Sequence, residues 1–312
     1  MVEILVVDDS PVDRLLISAT LQRGTDWNIT TAENGRQAIE AMRKRSFSLV
    51  VTDLQMPELD GLGLVRAIRS EFIFVPVVLV TAFGSEKQSV AALQAGAANF
   101  SLKSRLKADL VPTVRNVLNW AKSVTRAAED SREAFDMGSE NRSLAFVLDN
   151  NVGQIRTLIE TLDANLPEWA EQDSIRISMA LEEALCNAIC HGNLEVDSQL
   201  KESEDCSAYE NKIRERKDAE PFCERRVRVH AEFTEEMLRF QIDDDGPGFN
   251  PQTLPDPTTA ENLLKPSGRG LLLIRSFMDE VHHNQSGNRI TLVKNRSVAS
   301  CHQAPKIESS QR

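Results

Sequence analysis

Short apolar runs alternate with amphipathic segments over the first 118 or so residues of the chain. The runs that read as strands cover residues 4–7, 27–31, 49–52, 75–80 and 99–102. Apolar positions at helical spacing fill the segments between them, at residues 11–22, 35–44, 61–69 and 86–95. The first, third and fourth runs are almost wholly apolar, as strands covered on both faces are. The pattern therefore predicts a doubly wound α/β unit with a parallel five-stranded sheet.

The second half of the chain has a different order of elements. Strands are predicted at residues 143–148, 225–233, 237–243, 279–284 and 288–294, and helices at 152–165, 173–191 and 271–277. A helical linker is expected at 121–142, between a first domain at 1–120 and a second at 143–295. Charges of both signs crowd residues 195–225, which we expect to form a solvated helix or a mobile insertion. The polar tail at 296–312 is expected to be disordered.

Length and composition agree with two globular domains. The chain has 312 residues, of which 41% are apolar. No apolar stretch approaches the ~20 residues needed to span a bilayer, and the N-terminus lacks a basic region before its short apolar run. We therefore expect a cytoplasmic protein that binds no membrane.

Net charge and cysteine usage narrow the function classes. The formal net charge of -11 opposes attraction to nucleic-acid phosphates, so binding to nucleic acid is not expected. The five cysteines are an odd number without CxxC spacing, which favours reduced thiols over a disulfide framework or a zinc site.

Acidic residues follow the ends of the predicted parallel strands. Asp8 and Asp9 end the first strand and Asp53 ends the third, so their carboxylates meet at one edge of the sheet. Such carboxylates repel unless a hard divalent cation neutralises them, which predicts Mg²⁺. One carboxylate can then attack a phosphoryl group while a hydroxyl and an ammonium steady its oxygens, roles that suit Asp53, Thr81 and Lys103.

These residues stand in segments that resemble the receiver domain of two-component response regulators. The segments are VVDDS at 6–10, VTDLQMPELDG at 51–61, VTA at 80–82 and ANFSLK at 98–103. The resemblance implies a flavodoxin-like fold, Asp53 as the phosphoacceptor of an upstream histidine kinase, and Thr81 with Phe100 as the pair that reports phosphorylation. Ser104 departs from the usual proline after the lysine. The alternative is that Asp9 or Ser10 merely caps the helix at Pro11, but five role-matched positions in order argue against it.

Three separated fragments of the second half suit an ATP pocket. Glu183, Asn187 and His191 are spaced by four and share one helix face, where the glutamate is a candidate base and the asparagine a candidate Mg²⁺ ligand. Asp244 can accept a hydrogen bond from an exocyclic amine. The glycines that follow it let backbone approach a ligand, and a helix N-terminus after residues 268–270 can meet phosphate oxygens. His191 lies near the nucleotide or caps the helix end.

Together the fragments resemble the Bergerat-fold (GHKL) ATPases, and most closely their anti-sigma-factor serine kinase branch. The resemblance implies an α+β two-layer sandwich that binds ATP and Mg²⁺. It makes Glu183 the catalytic base, Asn187 a metal ligand and Asp244 the adenine reader. The remaining nucleotide contacts are assigned to His191, Gly246, Gly248, Gly268, Arg269 and Gly270, and residues 250–267 would form a lid. Taken singly, each fragment is equally an ordinary helix, turn or cap.

The hypothesis that follows is a response regulator with a serine/threonine kinase output. Phosphorylation at Asp53 would control transfer of phosphate from ATP to an anti-sigma-factor antagonist of the STAS type. The linker helix beyond Leu118 is, by its position, the expected carrier of the signal. A rival hypothesis is a nucleotide-binding module that sequesters a sigma factor or an antagonist, and a gyrase-like machine is a third. The linker contains no histidine, which argues against a histidine kinase, and a homodimer stays open.

Overall fold

The computed structural model describes residues 2–72, 75–82, 86–131, 141–201, 206–253 and 269–296. In the first half the strands are β1 (Glu3–Val7), β2 (Asn28–Ala32), β3 (Leu49–Asp53), β4 (Val77–Thr81) and β5 (Asn99–Leu102). The helices are α1 (Pro11–Gln22), α2 (Gly35–Lys44), α3 (Gly61–Glu71), α4 (Glu86–Ala95) and α5 (Leu106–Ser131).

The five strands form one parallel sheet in the order β2-β1-β3-β4-β5. All residues of β3 and β4 are buried, as expected for strands covered by helices on both faces. Side-chain caps fix where the helices begin: the Ser10 hydroxyl accepts from Asp13 N, the Asn34 amide from Gln37 N and the Asp60 carboxylate from Gly63 N. The predicted doubly wound fold is confirmed, and Ser10 rather than Asp9 caps α1.

Helix α5 continues to Ser131, into the segment where a helical linker was expected. Its first half is anchored to the sheet by buried Leu106, Leu110, Val114 and Val117. The helical linker is thus an extension of α5 as far as the helix is described. Residues 132–140, the rest of the predicted linker, lie outside the described residues.

The second half folds on an antiparallel sheet with the order β6-β7-β8-β10-β9. Its strands are β6 (Asn141–Leu148), β7 (Val227–Thr234), β8 (Met237–Asp244), β9 (Glu280–His283) and β10 (Arg289–Asn295). The helices are α6 (Gly153–Asp163), α7 (Ser174–Cys186), α8 (Cys206–Lys217) and α9 (Arg269–Phe277). Along β7 the burial alternates, with Val227, Val229, Ala231 and Phe233 buried. One sheet face therefore carries the core and the predicted α+β two-layer architecture is confirmed.

The helix predicted at 173–191 is not α-helical to its end. Helix α7 stops at Cys186, and residues Asn187–Asn193 wind as a π-helix. The wider winding places Asn193 in the core, where its amide donates to Asn150 Oδ1 at 2.8 Å and accepts from Asp245 N at 2.8 Å. A π segment of this kind is often found at functional sites.

The charged segment at 195–225 is ordered where the structure describes it. Helix α8 packs Tyr209 and Ile213 against the core. The guanidinium groups of Arg216 and Arg225 both lie over the Phe222 ring, 5.0 and 5.1 Å from its centroid. Both arginines also donate to backbone carbonyls at the end of the π-helix, including those of residues 193 and 194. The expected helix is present, but this segment is anchored to the end of the π-helix rather than merely solvated.

Candidate functional site

The carboxyl edge of the parallel sheet gathers one lysine and three aspartates. Lys103 Nζ lies 3.0 Å from Asp8 Oδ2, 2.9 Å from Asp53 Oδ1 and 2.7 Å from Asp13 Oδ2. Asp8 and Asp53 are buried, and so is Thr81, which ends the neighbouring strand β4. Asp9 is exposed. The topology thus brings Asp8, Asp53 and Lys103 into contact, with Thr81 at the same edge.

Burial and hydrogen bonding shift the pKa values of Asp8 and Lys103 in this cluster. Burial raises the pKa of Asp8 above its ordinary value, although the hydrogen bond from Lys103 opposes the rise. Burial also disfavours the charged form of Lys103, but its hydrogen bonds to Asp13, Asp53 and Asp8 outweigh this and raise its pKa. The ammonium is therefore held charged among the carboxylates.

The donor chemistry of this edge fits a hard cation. Asp8, Asp9 and Asp53 offer carboxylate oxygens, the ligand type that Mg²⁺ takes in proteins. Within the described ranges, however, no group of three or more His, Cys, Asp or Glu side chains that could hold a metal ion is found. Magnesium at this edge therefore stays a prediction.

The loop after β3 fixes the Asp53 backbone and side chain. Gln55 N donates to Asp53 Oδ2 at 2.7 Å, and Gly61 N donates to Leu54 O at 3.0 Å. A Cβ on Gly61 would lie 2.2 Å from Asp53 O, so this contact requires glycine. Asp13 was not predicted as a site residue. It lies in the first turn of α1, where an acidic residue is common for reasons of helix stability alone.

The antiparallel half contains a cavity of about 380 Å³ between α7 with the π-helix that follows it, α9 and the sheet. Its polar lining includes four predicted residues, Glu183, Asn187, His191 and Asp244. Its apolar lining is formed by Ala184, Ala188, Ile242, Leu271, Ile274 and Ile290. An apolar pocket with a few convergent polar groups is the form expected of a small-molecule site.

The glycines of the cavity allow close approaches. Gly248 lines it and has a φ of 72°, and a Cβ on Gly246 would lie 2.2 Å from Gly192 O. A Cβ on Gly270 would lie 1.8 Å from Glu183 Oε1, so the start of α9 packs directly on the candidate base. Gly268 and the Arg269 side chain lie outside the described residues, as does the predicted lid beyond residue 253.

Asp244 is a perturbed carboxylate inside this cavity. Burial raises its pKa to about 6, and the charges of Asp245 and Asp243 act in the same direction. The hydrogen bond from Gly246 N, 2.9 Å from Asp244 Oδ1, opposes the rise. A perturbed group in a cleft is a functional-site candidate.

Histidine and aromatic side chains complete the cavity wall. His191 Nδ1 lies 2.6 Å from Val196 O. Because a carbonyl oxygen only accepts hydrogen bonds, Nδ1 carries a hydrogen and donates it to this oxygen. Phe249 and His283 pack edge to face with centroids 5.5 Å apart. These two residues, together with Asn193, were missed by the sequence analysis. Only the position of Phe249 directly after the glycine-rich turn offered a signal.

Comparison with known proteins assigns both halves. Residues 4–115 match the family model of the response regulator receiver domain, and residues 148–294 match that of the histidine kinase-like ATPase domain. The chain therefore joins an N-terminal receiver domain to a C-terminal histidine kinase-like ATPase domain of the GHKL type.

Similar proteins align with only part of the chain. The transcriptional regulatory protein ZraR of Escherichia coli O157:H7 is 38% identical over 102 residues, which are 33% of this chain and 23% of that protein. ZraR of Klebsiella oxytoca is 31% identical over 166 residues, 53% of this chain and 36% of that protein. A receiver domain structure from Clostridium thermocellum is 25% identical, with a TM-score of 0.37, and covers 39% of this chain and 98% of its own. The chain thus spans well under two thirds of these two curated relatives.

In the part of the chain that the structure describes, no helix is both long and apolar enough to cross a membrane.

Proposed function

We propose that the chain is a phosphorelay response regulator whose output is an ATP-dependent protein serine/threonine kinase. The observation that carries the proposal is the cavity in which Glu183, Asn187 and Asp244 converge. The partly buried carboxylate of Asp244 suits an exocyclic amine, while the carboxylate of Glu183 suits the activation of an attacking hydroxyl. The cavity therefore supports the proposal of a nucleobase reader and a base for phosphoryl transfer in one site.

The roles of the residues follow from phosphoryl-transfer chemistry, which depends mainly on positioning and charge stabilisation. Glu183 would accept the proton of a substrate hydroxyl, and Asp244 would fix the adenine. Asn187 would hold Mg²⁺, which when bound offsets the charge of the phosphates. Gly270 keeps the start of α9 against Glu183, where backbone amides can face phosphate oxygens.

The proposed substrate is a hydroxyl-bearing regulatory protein of the STAS-type antagonist class, and the proposed consequence is partner switching on a sigma factor. Phosphorylation of Asp53 would set the activity of this output. The second candidate is a module that binds nucleotide and sequesters a sigma factor or an antagonist, because ATP binding in this cavity does not by itself require phosphoryl transfer.

Transfer of labelled γ-phosphate to candidate antagonist proteins, with Mg²⁺ and with or without a small phosphodonor for Asp53, tests the proposal. We expect serine or threonine phosphorylation that is lost in Glu183→Gln and loses its dependence on the phosphodonor in Asp53→Asn. Glu210→Gln, an exposed carboxylate on α8, is the matched control and should behave as native. Tight ATP binding and partner capture without transfer in the native protein would instead establish sequestration.

A further inference from the structure

The receiver and the ATPase domain share a direct interface besides the chain that joins them. Helix α4 of the receiver packs on α9, and α5 packs on α6 and α7. Helices α7 and α9 are the two that carry Glu183 and Gly270 at the ATP cavity. Both helices of the ATP site therefore rest on the receiver.

One part of this interface is a set of arginine contacts. Arg176 of α7 is buried and donates to Leu93 O of α4 at 2.9 Å and to Ser276 O of α9 at 3.0 Å. Arg69 of α3 reaches across to Asp173 Oδ1 at 2.8 Å, and Arg176 binds the same oxygen at 3.0 Å. The guanidinium of Arg176 thus joins α4, α7 and α9 at one point.

The other part involves the residue next to the candidate base. Glu182 Oε2 accepts hydrogen bonds from two side chains of α5, Trp120 Nε1 at 2.8 Å and Asn116 Nδ2 at 3.1 Å. Trp120 is buried, so the receiver binds the Glu182 carboxylate where it is partly shielded from solvent. A charge-assisted hydrogen bond there is stronger than a neutral one.

The phosphoacceptor site is connected to the same helix. Lys103, 2.9 Å from Asp53 Oδ1, begins the single 3₁₀ turn Lys103–Arg105 that leads into α5 at Leu106. A phosphoryl group on Asp53 changes the partners available to the Lys103 ammonium, and α5 starts three residues later. The geometry provides one continuous set of contacts from Asp53 through Lys103 and α5 to Glu182.

We propose that Glu182 is a positioning residue for Glu183, through which α5 of the receiver sets the arrangement of the ATP site. A shift of α5 moves the carboxylate of Glu182 and with it the next residue, whose Oε1 is packed against Gly270 of α9. This route includes Trp120, which lies in the part of α5 beyond Leu118 that we expected to carry the signal. It rests on the proposed function for its consequence in catalysis, but not for its effect on nucleotide binding.

The test uses the full chain and measures the Kd of a fluorescent Mg·ATP analogue with and without beryllofluoride, a mimic of the phosphoryl group on Asp53. Asn116→Ala and Trp120→Phe each remove one donor to Glu182. Asn119→Ala is the matched control, the same side chain one turn further along α5, exposed beside Trp27. Asp53→Asn checks that beryllofluoride acts at the receiver and not at the nucleotide site. Hydrogen exchange of the α7 amides is followed in the same samples.

In the native protein and in Asn119→Ala, beryllofluoride is expected to change the Kd by about fivefold or more and to alter exchange in α7. In Asn116→Ala and Trp120→Phe the change is expected to fall below about twofold. A native-sized response in both donor variants overturns the proposal, as does an unresponsive native protein. A response of the Kd without any phosphotransfer rejects the kinase function and leaves this inference standing. Trp120→Phe keeps the ring in the core, so the test does not depend on a variant that loses its fold.

Discussion

At the scale of single residues, Asp244 shows how packing prepares a ligand contact. Its carboxylate lies beside Gly192, where a Cβ would come within 2.5 Å of the Oδ1 atom. Glycine at that position lets the π-helix approach the carboxylate and remove part of its hydration. The resulting burial is the main reason that its pKa is about 6. Asp244 therefore changes its charge near pH 6, where the effect on ligand binding can be measured.

We expect ATP affinity to fall as the pH is lowered through about 6. An exocyclic amine donates to the ionised carboxylate, so binding favours deprotonated Asp244 and weakens when the group is protonated. Titration calorimetry with ATP between pH 5 and 8 measures the effect. The Asp244→Asn variant should bind more weakly at pH 8 and show a flat profile, and an equally steep profile in that variant would contradict the assignment.

A second residue-scale expectation concerns Gly61. Gly61→Ala should destabilise the receiver by about 1–3 kcal/mol and impair phosphorylation of Asp53, because the new Cβ meets Asp53 O and Leu54 Cα in the backbone. Gly63→Ala is the control on the same helix, since its nearest contact is the flexible Leu59 side chain. Urea unfolding and labelling by acetyl phosphate distinguish the two. Equal behaviour of both variants would show that the loop yields without strain.

At the scale of secondary structure, the elements that the sequence predicted well are those whose pattern has one physical cause. Strands β3 and β4 are buried throughout and apolar up to their last one or two residues because both faces are covered, and α2 begins where Asn34 can cap it. The π-helix after Cys186 could not be predicted from the spacing of the site residues. Glu183 and Asn187 lie near the same face whether the helix continues as α or widens to π after Cys186. The cause of the π-helix is a long-range one, the burial of Asn193 between Asn150 and Asp245.

The site divides in the same way. Asp53 and Thr81 end strands and Lys103 directly follows one, and strand ends can be located from apolar runs. Asp13 reaches Lys103 from a helix, and its contact depends on how α1 packs on the sheet. The anchoring of α8 by Arg216 and Arg225 also depends on partners far along the chain. Such contacts are set by tertiary packing, which local patterns do not encode.

Asp163, the last residue of α6, is an acid whose desolvation should lower the stability of the folded protein at high pH. Burial, helped by the charge of Glu171, raises the pKa of Asp163 to about 7, and its Oδ1 has no hydrogen-bond partner among the described residues. The folded state therefore holds a proton that the unfolded state releases near pH 4, so stability falls as the pH rises from about 4 to 7. Asp163→Asn should be more stable than the native protein at pH 8, by on the order of 1–3 kcal/mol.

Urea unfolding of both proteins at pH 5 and pH 8 checks this expectation. The difference between them should be largest at pH 8 and small at pH 5, where native Asp163 is mostly protonated. A variant that is less stable than the native protein at both pH values would mean that the carboxylate has a favourable partner.

At the scale of the whole molecule, the two domains are joined by charged contacts rather than by an apolar surface alone. Asp173 is approached by Arg176, Arg69 and Lys294, at 3.0, 2.8 and 3.8 Å. Burial disfavours its ionised form, but the three cations outweigh this and hold its pKa below the ordinary value. Because Arg69 belongs to the receiver and Asp173 to the ATPase domain, ionisation of one carboxylate is linked to docking of the domains.

We expect Arg69→Ala to weaken this docking by about 1–2 kcal/mol at pH 7, since it removes the hydrogen bonds to Gln172 O and Asp173. A carboxylate with a depressed pKa stabilises the folded state above its unfolded pKa, and this contribution is lost as the pH falls through the folded value. The difference between variant and native protein should therefore shrink below about pH 4. Arg66→Ala, exposed on the same helix, is the control. Hydrogen exchange of α4 and α7 at pH 7 should be faster only in Arg69→Ala. Equal exchange in both variants would mean that the domains stay docked without this arginine, through the packing of α4 and α5 and the contacts of Arg176 and Glu182.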